Sequence, residues 1–335
     1  MNPGDLVGPM LALGERVRDS VRKALAARVP EDRAAVHGKA ASDVIYRIDL
    51  DAERAILETL EKEAGSWGGV ALVAEGVSEG VENVFPKTID TSKALWRLIV
   101  DPIDGTRGLM VGKRSAFFLE GAAPNRGGAT RLSDVIVAVM VEIPTDRSQL
   151  SDVFSAIKGG GLQGYTRNLV DGSKTGLKAT PSGKRSLRGG FGQISRFFHP
   201  GKETLASLEE ELVETLYPDQ KDNEIAAFED QYICSGGQLY ELLTGKDRFT
   251  ADLRQSLYAR FRREGKRTGH VCHPYDLAAH LVGKEAGVEL TDASGALLDA
   301  PLDTSSGVDW IGYANASIRS EIEPVLLPLI RKHLS

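Results

Sequence analysis

The stretch ALWRLIVDPIDGTRG, residues 94–108, ends an apolar run on two carboxylates, Asp101 and Asp104. The chain then turns through Gly105 into the hydroxyl of Thr106. Asp, Pro and Asp-Gly all favour turns, so the bland reading of a DPxDG segment is a surface turn. Three features point to chemistry instead. Apolar residues run directly up to Asp101, Pro102 stiffens the link between the carboxylates, and Thr106 stands where a new segment begins. Two carboxylates so close repel each other unless a cation lies between them; otherwise one pKa must rise. A divalent cation resolves the conflict, and hard cations such as Mg2+ prefer oxygen ligands. Asp101 is suited to bridge two such ions, with the Ile103 carbonyl and the Asp104 carboxylate completing their shells. The backbone N–H groups of Gly105 and Thr106 then stay available to an anion. Cations beside an anion cradle are the apparatus of phosphate chemistry.

Two other phosphate motifs fail letter by letter. A phosphoaspartate enzyme of the haloacid dehalogenase type needs D-x-D-G-T, and Pro102 occupies its nucleophile position. A P-loop needs G-x-x-x-x-G-K-[ST]. After Gly183 and Lys184 comes Arg185, and Lys178 stands where the first Gly belongs.

Three further motifs lie in order along the chain: DVIYRID at 43–49, VAEG at 73–76 and HPYDLAAHLVGKEAGVELTDASG at 273–295. DPIDGT, reached from WRLIV, resembles the first signature of the inositol monophosphatase superfamily. That superfamily comprises metal-dependent, lithium-sensitive phosphomonoesterases. Its second signature, W-D-x-A-[AG] opening a helix and followed by E-A-G-G and T-D, resembles the segment around Asp276, Ala278, Ala279, Glu285, Ala286, Gly287, Thr291 and Asp292. DVIYRID resembles D-x-V-T-x-x-D and places Asp49 at its last Asp. VAEG resembles G-E-E and places Glu75 at the metal-binding Glu. The likeness runs from about Asp43 to Gly295. Tyr275 replaces the usual Trp, Tyr46 the usual Thr, and Gly76 the second Glu, which leaves Glu79 as a rival to Glu75. Glu75 is preferred because it directly follows a strand and is held more rigidly. The stretches 186–221 and 250–269 have no obvious match.

The resemblance implies a layered αβαβα sandwich of the inositol monophosphatase and fructose-1,6-bisphosphatase type. It implies two or three Mg2+ ions, with Mn2+ as a substitute. Glu75, Asp101 and the Ile103 carbonyl would hold one ion, and Asp101, Asp104 and Asp276 a second. Asp49 would lie near a weaker third ion or the attacking water. Thr106 and an adjacent carboxylate, Asp49 or Glu75, would orient and deprotonate that water. Gly105, Thr106, Arg107 and Asp276 would contact the substrate. The expected reaction is hydrolysis of a small phosphate monoester, an inositol phosphate or related sugar phosphate. A 3′(2′),5′-bisphosphate nucleotide or fructose 1,6-bisphosphate is the alternative, since D-G-T-[RK]-G resembles the bisphosphate nucleotidase variant. Lithium sensitivity and a homodimer are further implications. A non-catalytic protein that binds metal and phosphate is the reading from another class, supported by the Gly76 and Tyr46 departures.

Other chemistry-bearing residues have plainer readings. His270, Cys272 and His273 include zinc-type ligands, but one compact cluster supplies no clear fourth, so a local structural role is preferred. Cys234 reads as a small buried residue. The basic stretch 254–267 interleaves Tyr258 and Phe261 with arginines, which suits either a solvated helix face or recognition of a second phosphate or a nucleotide. Asp276 taken alone would be a helix N-cap.

Elements must carry these groups together. Met10, Leu13, Val17, Val21 and Leu25 fall at helical spacing and predict an amphipathic N-terminal helix. A second helix is expected from near Asp49 or Asp51 to about Gly65. Strands are expected at 70–74, 95–100, 135–143 and 152–157, broken by glycines at 159–161. The polar stretch 171–187 predicts a boundary, giving an α+β unit over 1–182 and an α/β unit over 183–335. In the second unit, GGFGQI and VDWIGYAN read as strands, KETLASLEEELVETL and PYDLAAHLVGKEAG as helices. The last helix, SIRSEIEPVLLPLIRKHL, is expected to be interrupted at Pro324 and Pro328.

Composition bounds the function class. With 41% hydrophobic and 26% charged residues over 335 positions, a packed core is affordable and disorder is excluded as the main description. A net charge of -6 argues against a nucleic acid polymer as partner. Two distant cysteines argue against a disulfide framework and for a reducing compartment. The N-terminal stretch has no signal-peptide pattern and no apolar run reaches membrane-span length, so a cytoplasmic protein without a membrane partner is expected.

Overall fold

The computed structural model describes residues 2–27, 36–39, 44–77 and 83–335. Helix α1 (Pro3–Ala27) lines up Leu6, Met10, Leu13, Val17, Val21 and Leu25 on one buried stripe. Strands β1 (Val36–Lys39) and β2 (Val44–Tyr46) form a small antiparallel pair. Helix α2 (Arg47–Glu63) buries Ala52, Ile56 and Leu60 beside α1. These two helices cover one face of an eight-stranded sheet.

That sheet contains β3 (Val70–Ala74), β4 (Asn83–Phe85), β5 (Trp96–Asp104), β6 (Ala116–Pro124), β7 (Val137–Ile143), β8 (Leu150–Ile157), β9 (Gly161–Asn168) and β10 (Lys174–Gly176). Its order is β10-β9-β8-β7-β6-β5-β3-β4. Every neighbouring pair is antiparallel except β3 with β5. A short helix, α3 (Thr106–Met110), follows β5. Alternation along β6 sends Ala116, Phe118 and Ala122 toward α1 and α2, and Phe117, Leu119 and Ala123 to the other side. Glu120 has the parity of the first set. It is fully buried, and among the described residues neither carboxylate oxygen finds a hydrogen-bond partner. Burial pushes its carboxyl far above the ordinary range, so it is held neutral.

The second half comprises β11 (Phe191–Ile194), α4 (Lys202–Leu216), α5 (Ser235–Leu243), β12 (Asp247–Asp252), α6 (Arg254–Arg263), a 3-10 turn (Pro274–Leu277), α7 (His280–Ala286), β13 (Glu289–Thr291), β14 (Trp310–Tyr313) and α8 (Ala316–Leu334). Its strands form a four-stranded sheet in the order β11-β12-β14-β13. Between the two sheets lie α5, the 3-10 turn and α7; Leu239, Leu242, Leu281 and Val282 pack with Phe117, Leu119 and Trp310 in one core. On the far face of the small sheet, α4, α6 and α8 cover Phe249, Ala251, Ile311 and Tyr313. The layers therefore run helix, sheet, helix, sheet, helix, the αβαβα sandwich expected from the sequence. Both cysteines are buried and unbridged. Among the described residues, no helix is long and apolar enough to cross a membrane.

One expectation is corrected. Helix α8 runs unbroken through Pro324 and Pro328. Both prolines lie on its exposed face, while Ile318, Ile322, Leu326 and Ile330 bury the opposite stripe. The carbonyls that lose their amide partner face water, and the buried stripe holds the helix together.

Candidate active site

Side chains three apart on a regular strand point to opposite faces, so Asp101 and Asp104 should diverge. A β-bulge brings them back together. Asp101 pairs with Leu119 and Asp104 with Phe117, three steps on β5 against two on β6. Residues directly opposite share a face. Both carboxylates therefore follow Leu119 and Phe117 toward the middle helical layer. The bulge is tied locally, with the Ile103 N–H donating to Asp101 Oδ1 at 3.0 Å. Gly105 then adopts φ 100°, the left-handed region that glycine enters without strain, and opens α3.

Asp276 arrives from the other side, in the 3-10 turn. Its carboxylate accepts from the His273 N–H, which fixes the turn. The turn lies against β6 because Gly121 has no side chain: a Cβ there would meet the Ala278 carbonyl oxygen at 2.5 Å. Carboxylate oxygens of Asp101, Asp104 and Asp276 lie within 4.8 Å of one another. Among the described residues this is the one such convergent group of metal-ligating side chains; His270, Cys272 and His273 do not form a second.

The first residues of α5 complete the surroundings of Asp104. The Gly236 N–H donates to Asp104 Oδ2, and a Cβ on Gly236 would sit 2.9 Å from that oxygen. The Cys234 thiol caps α5, accepting from the Gly237 N–H at 3.3 Å, and it lies near enough to Asp104 to favour that carboxylate's charge. Thr106 Oγ1 donates to the Ile103 carbonyl at 2.8 Å and stands 3.3 Å from Asp49 Oδ1 on α2.

Electrostatics reflect this crowding. Burial, then the charges of Glu75, Asp104 and Asp276, push the Asp101 carboxyl well above the carboxylate range. Burial and Asp276 do the same to Asp104, against the opposing pull of the Gly236 amide. Burial raises Asp276 to about 6, although the His273 amide, His270 and Arg254 all favour its charge. Burial and the charge of Asp104 raise the Cys234 thiol, which stays protonated. A set of oxygen donors that repel one another, packed around one point, suits a hard divalent cation.

Asp49, Glu75, Asp101, Ile103, Asp104, Gly105, Thr106, Arg107 and Asp276 all line one cavity. Glu79 lies outside the described residues, as does Asp43. Glu53, one helical turn after Asp49, faces the same cavity and carries no motif signature. So do Phe197 and Phe198, from the stretch without a family match, along with Cys234, Ser235, Arg254 and His270. Of the basic stretch 254–267, Arg254 alone lines the cavity. Arg260 and Lys266 pair with Glu264 on the surface, and Tyr258 and Phe261 are buried in the outer core.

No family model matches the sequence, and no curated protein matches it. Solved structures do. The extragenic suppressor protein suhB from Bartonella henselae aligns over 96% of this chain and 98% of its own, with 18% identity and a TM-score of 0.64. The holo fructose-1,6-bisphosphatase of Leishmania major aligns over 97% and 92%, with 13% identity and a TM-score of 0.66. The Thermotoga maritima IMPase TM1415 aligns over 98% and 99%, with 19% identity and a TM-score of 0.62. Near-complete alignment with these structures shows that this chain has the fold of the inositol monophosphatase superfamily.

Proposed function

We propose that the chain is a phosphatase that hydrolyses a small phosphate monoester with the help of divalent cations, magnesium foremost. The observation that carries this reading is the convergence of Asp101, Asp104 and Asp276 on one point, with Glu75 close enough to raise Asp101 further. Glu75, Asp101, Asp104, Asp276 and the Ile103 carbonyl are the residues that would hold the cations. When bound, such cations offset the carboxylate charge, polarise the phosphoryl group and activate water for in-line attack. The Thr106 hydroxyl, pinned between the Ile103 carbonyl and Asp49, orients the attacking water. Asp49, facing the cavity beside it, accepts a proton from that water. Gly105, Thr106, Arg107 and Asp276 contact the substrate. Arg254, buried and anchored, keeps positive charge near Asp276. The expected setting is a cytoplasmic homodimer.

The test is phosphate release from a broad panel of monoesters, with magnesium and with a chelator. Release should depend on the metal, and Asp104→Asn should abolish it while leaving the fold intact. No release from any ester would defeat the catalytic reading and favour a protein that only binds metal and phosphate. An unaffected rate in the variant would show that the site is misplaced.

A further inference from the structure

A second cavity opens on the far side of the small sheet, between α4 and the segment 217–229. It encloses about 700 Å³ and shares no lining residue with the candidate active site. Its floor is apolar: Leu187, Leu212, Tyr217 and Phe249 are buried members of the outer core. Its lip is apolar too, with Phe228 42% and Ile225 62% exposed. The Gly192 N–H donates to the Phe228 carbonyl and the Phe228 N–H to the Gly190 carbonyl, both at 2.9 Å, which lays this lip along β11. The Phe228 ring leans on Phe191, centroids 5.5 Å apart. The rim is charged and mostly acidic. Arg196 lines the cavity, and its guanidinium is matched by Glu209 and Glu229. Of the other charged lining residues, Glu210, Glu214, Asp222 and Glu224 are acidic and Lys221 alone is basic. Glu210 and Glu214 stand one turn apart on α4, exposed to solvent.

We infer that this cavity binds a small organic cation with an apolar body, an ammonium or guanidinium group on a hydrocarbon or aryl chain. Volume, floor and rim each constrain the ligand. The volume falls within the range of about 300–1,000 Å³ of small-molecule pockets. An apolar body covers the floor and the Phe228 and Ile225 side chains, and it releases water from both. The cationic head then meets the surplus of carboxylates, and the Phe228 ring offers a face to the same charge. An anion of the same shape meets repulsion. A polyamine without an apolar body gains only screened surface attraction. A second copy of this chain fits poorly, because a two-fold contact sets the same acidic rim against itself. The cavity lies apart from the carboxylate cluster, so its ligand does not depend on whether the chain hydrolyses an ester.

The test titrates three probes of one shape into the full chain at neutral pH and follows backbone amide shifts by NMR. The probes are 4-phenylbutylamine, 4-phenylbutanol and 4-phenylbutyrate. The amine should bind with a Kd on the order of a millimolar, as suits so small a ligand, and shift the amides of Val213, Ala227 and Phe228. The alcohol should bind about tenfold more weakly, and the butyrate should leave these amides unshifted. Glu210→Gln combined with Glu214→Gln removes two exposed charges without touching the core. The double variant should bind the amine about tenfold more weakly and the alcohol as before. Added salt should weaken the amine alone. Amine shifts that fall elsewhere on the chain overturn the inference, as do equal affinities for the three probes or an amine affinity that the double variant keeps. No shift at about 10 mM amine overturns it as well. Shifts of the same amides with protein concentration alone would assign this face to a second copy and also overturn it.

Discussion

Replacing Asp276 by Asn should make the metal-free protein more stable, and the metal-loaded protein less so. Burial raises the carboxyl of Asp276 to about 6, against an ordinary value of 3.8, even though most of its neighbours favour its charge. A raised folded-state pKa on an acid contributes its full stability below the unfolded value, and that stability is lost as pH rises through the folded value. At pH 8 the ionised group therefore costs the metal-free fold on the order of 3 kcal/mol relative to its neutral form. Asp276→Asn removes the charge, keeps the shape and keeps an oxygen for the His273 N–H. In chelator at pH 8 the variant should gain about 2–3 kcal/mol, and the gain should vanish by pH 4. With magnesium at a hundred times its Kd, the wild type gains about 2.7 kcal/mol by mass action. The variant, short of one ligand, should gain far less. Urea unfolding at pH 4 and pH 8, each with chelator and with magnesium, gives all four comparisons. A variant less stable than wild type in chelator at pH 8, or equal magnesium stabilisation of both proteins, would refute the argument that these carboxylates are held together for a cation.

Two further changes probe the frame around the site. Gly121→Ala puts a Cβ 2.5 Å from the Ala278 carbonyl oxygen and 3.2 Å from Val135 Cγ1, so the turn carrying Asp276 must move outward. Stability should fall by about 1–3 kcal/mol, and phosphatase activity should drop out of proportion to it; a fully active variant in a kinetic assay would show that the turn has slack. Glu120→Met replaces a buried carboxyl that finds no partner among the described residues with an apolar chain of similar length. The variant should be more stable by about 1–3 kcal/mol. Because burial raises the Glu120 pKa, the gain should widen as pH rises, and denaturant melts at neutral and alkaline pH should show it; a destabilised variant at alkaline pH would point to an essential role for the carboxyl.

Local letters and long-range pairing contributed unequally to what the sequence disclosed. The strands at 70–74 and 191–194, the helix Lys202–Leu216 and the amphipathic stripe of α1 are visible because each depends on its own periodicity. Asp101, Asp104 and Asp276 are legible because each sits in a short motif with strict spacing. The bulge that aligns the first two is not, since it exists only in the register against Phe117 and Leu119. Strand β6 itself is obscure in its second half, where Gly121, Ala122, Ala123 and Pro124 carry little β preference. The aromatic wall of the site's cavity is invisible for a similar reason. Phe197 and Phe198 look like any loop residues until Arg254, from another element, fixes them. Cys234 reads as packing, and it is buried, yet its thiol favours the charge of Asp104, a carboxylate of the site.

The division of the carboxylate cluster between the large sheet and the middle helical layer has a consequence for synthesis. A nascent chain that has reached only β10 already carries Glu75, Asp101 and Asp104, but neither Asp276 nor the Gly236 amide. Until the last third is translated, those three carboxylates have no turn to close over them. Under the proposed function, cation capture is thereby deferred to a late stage of assembly, and a ribosome-stalled product ending there should be indifferent to magnesium.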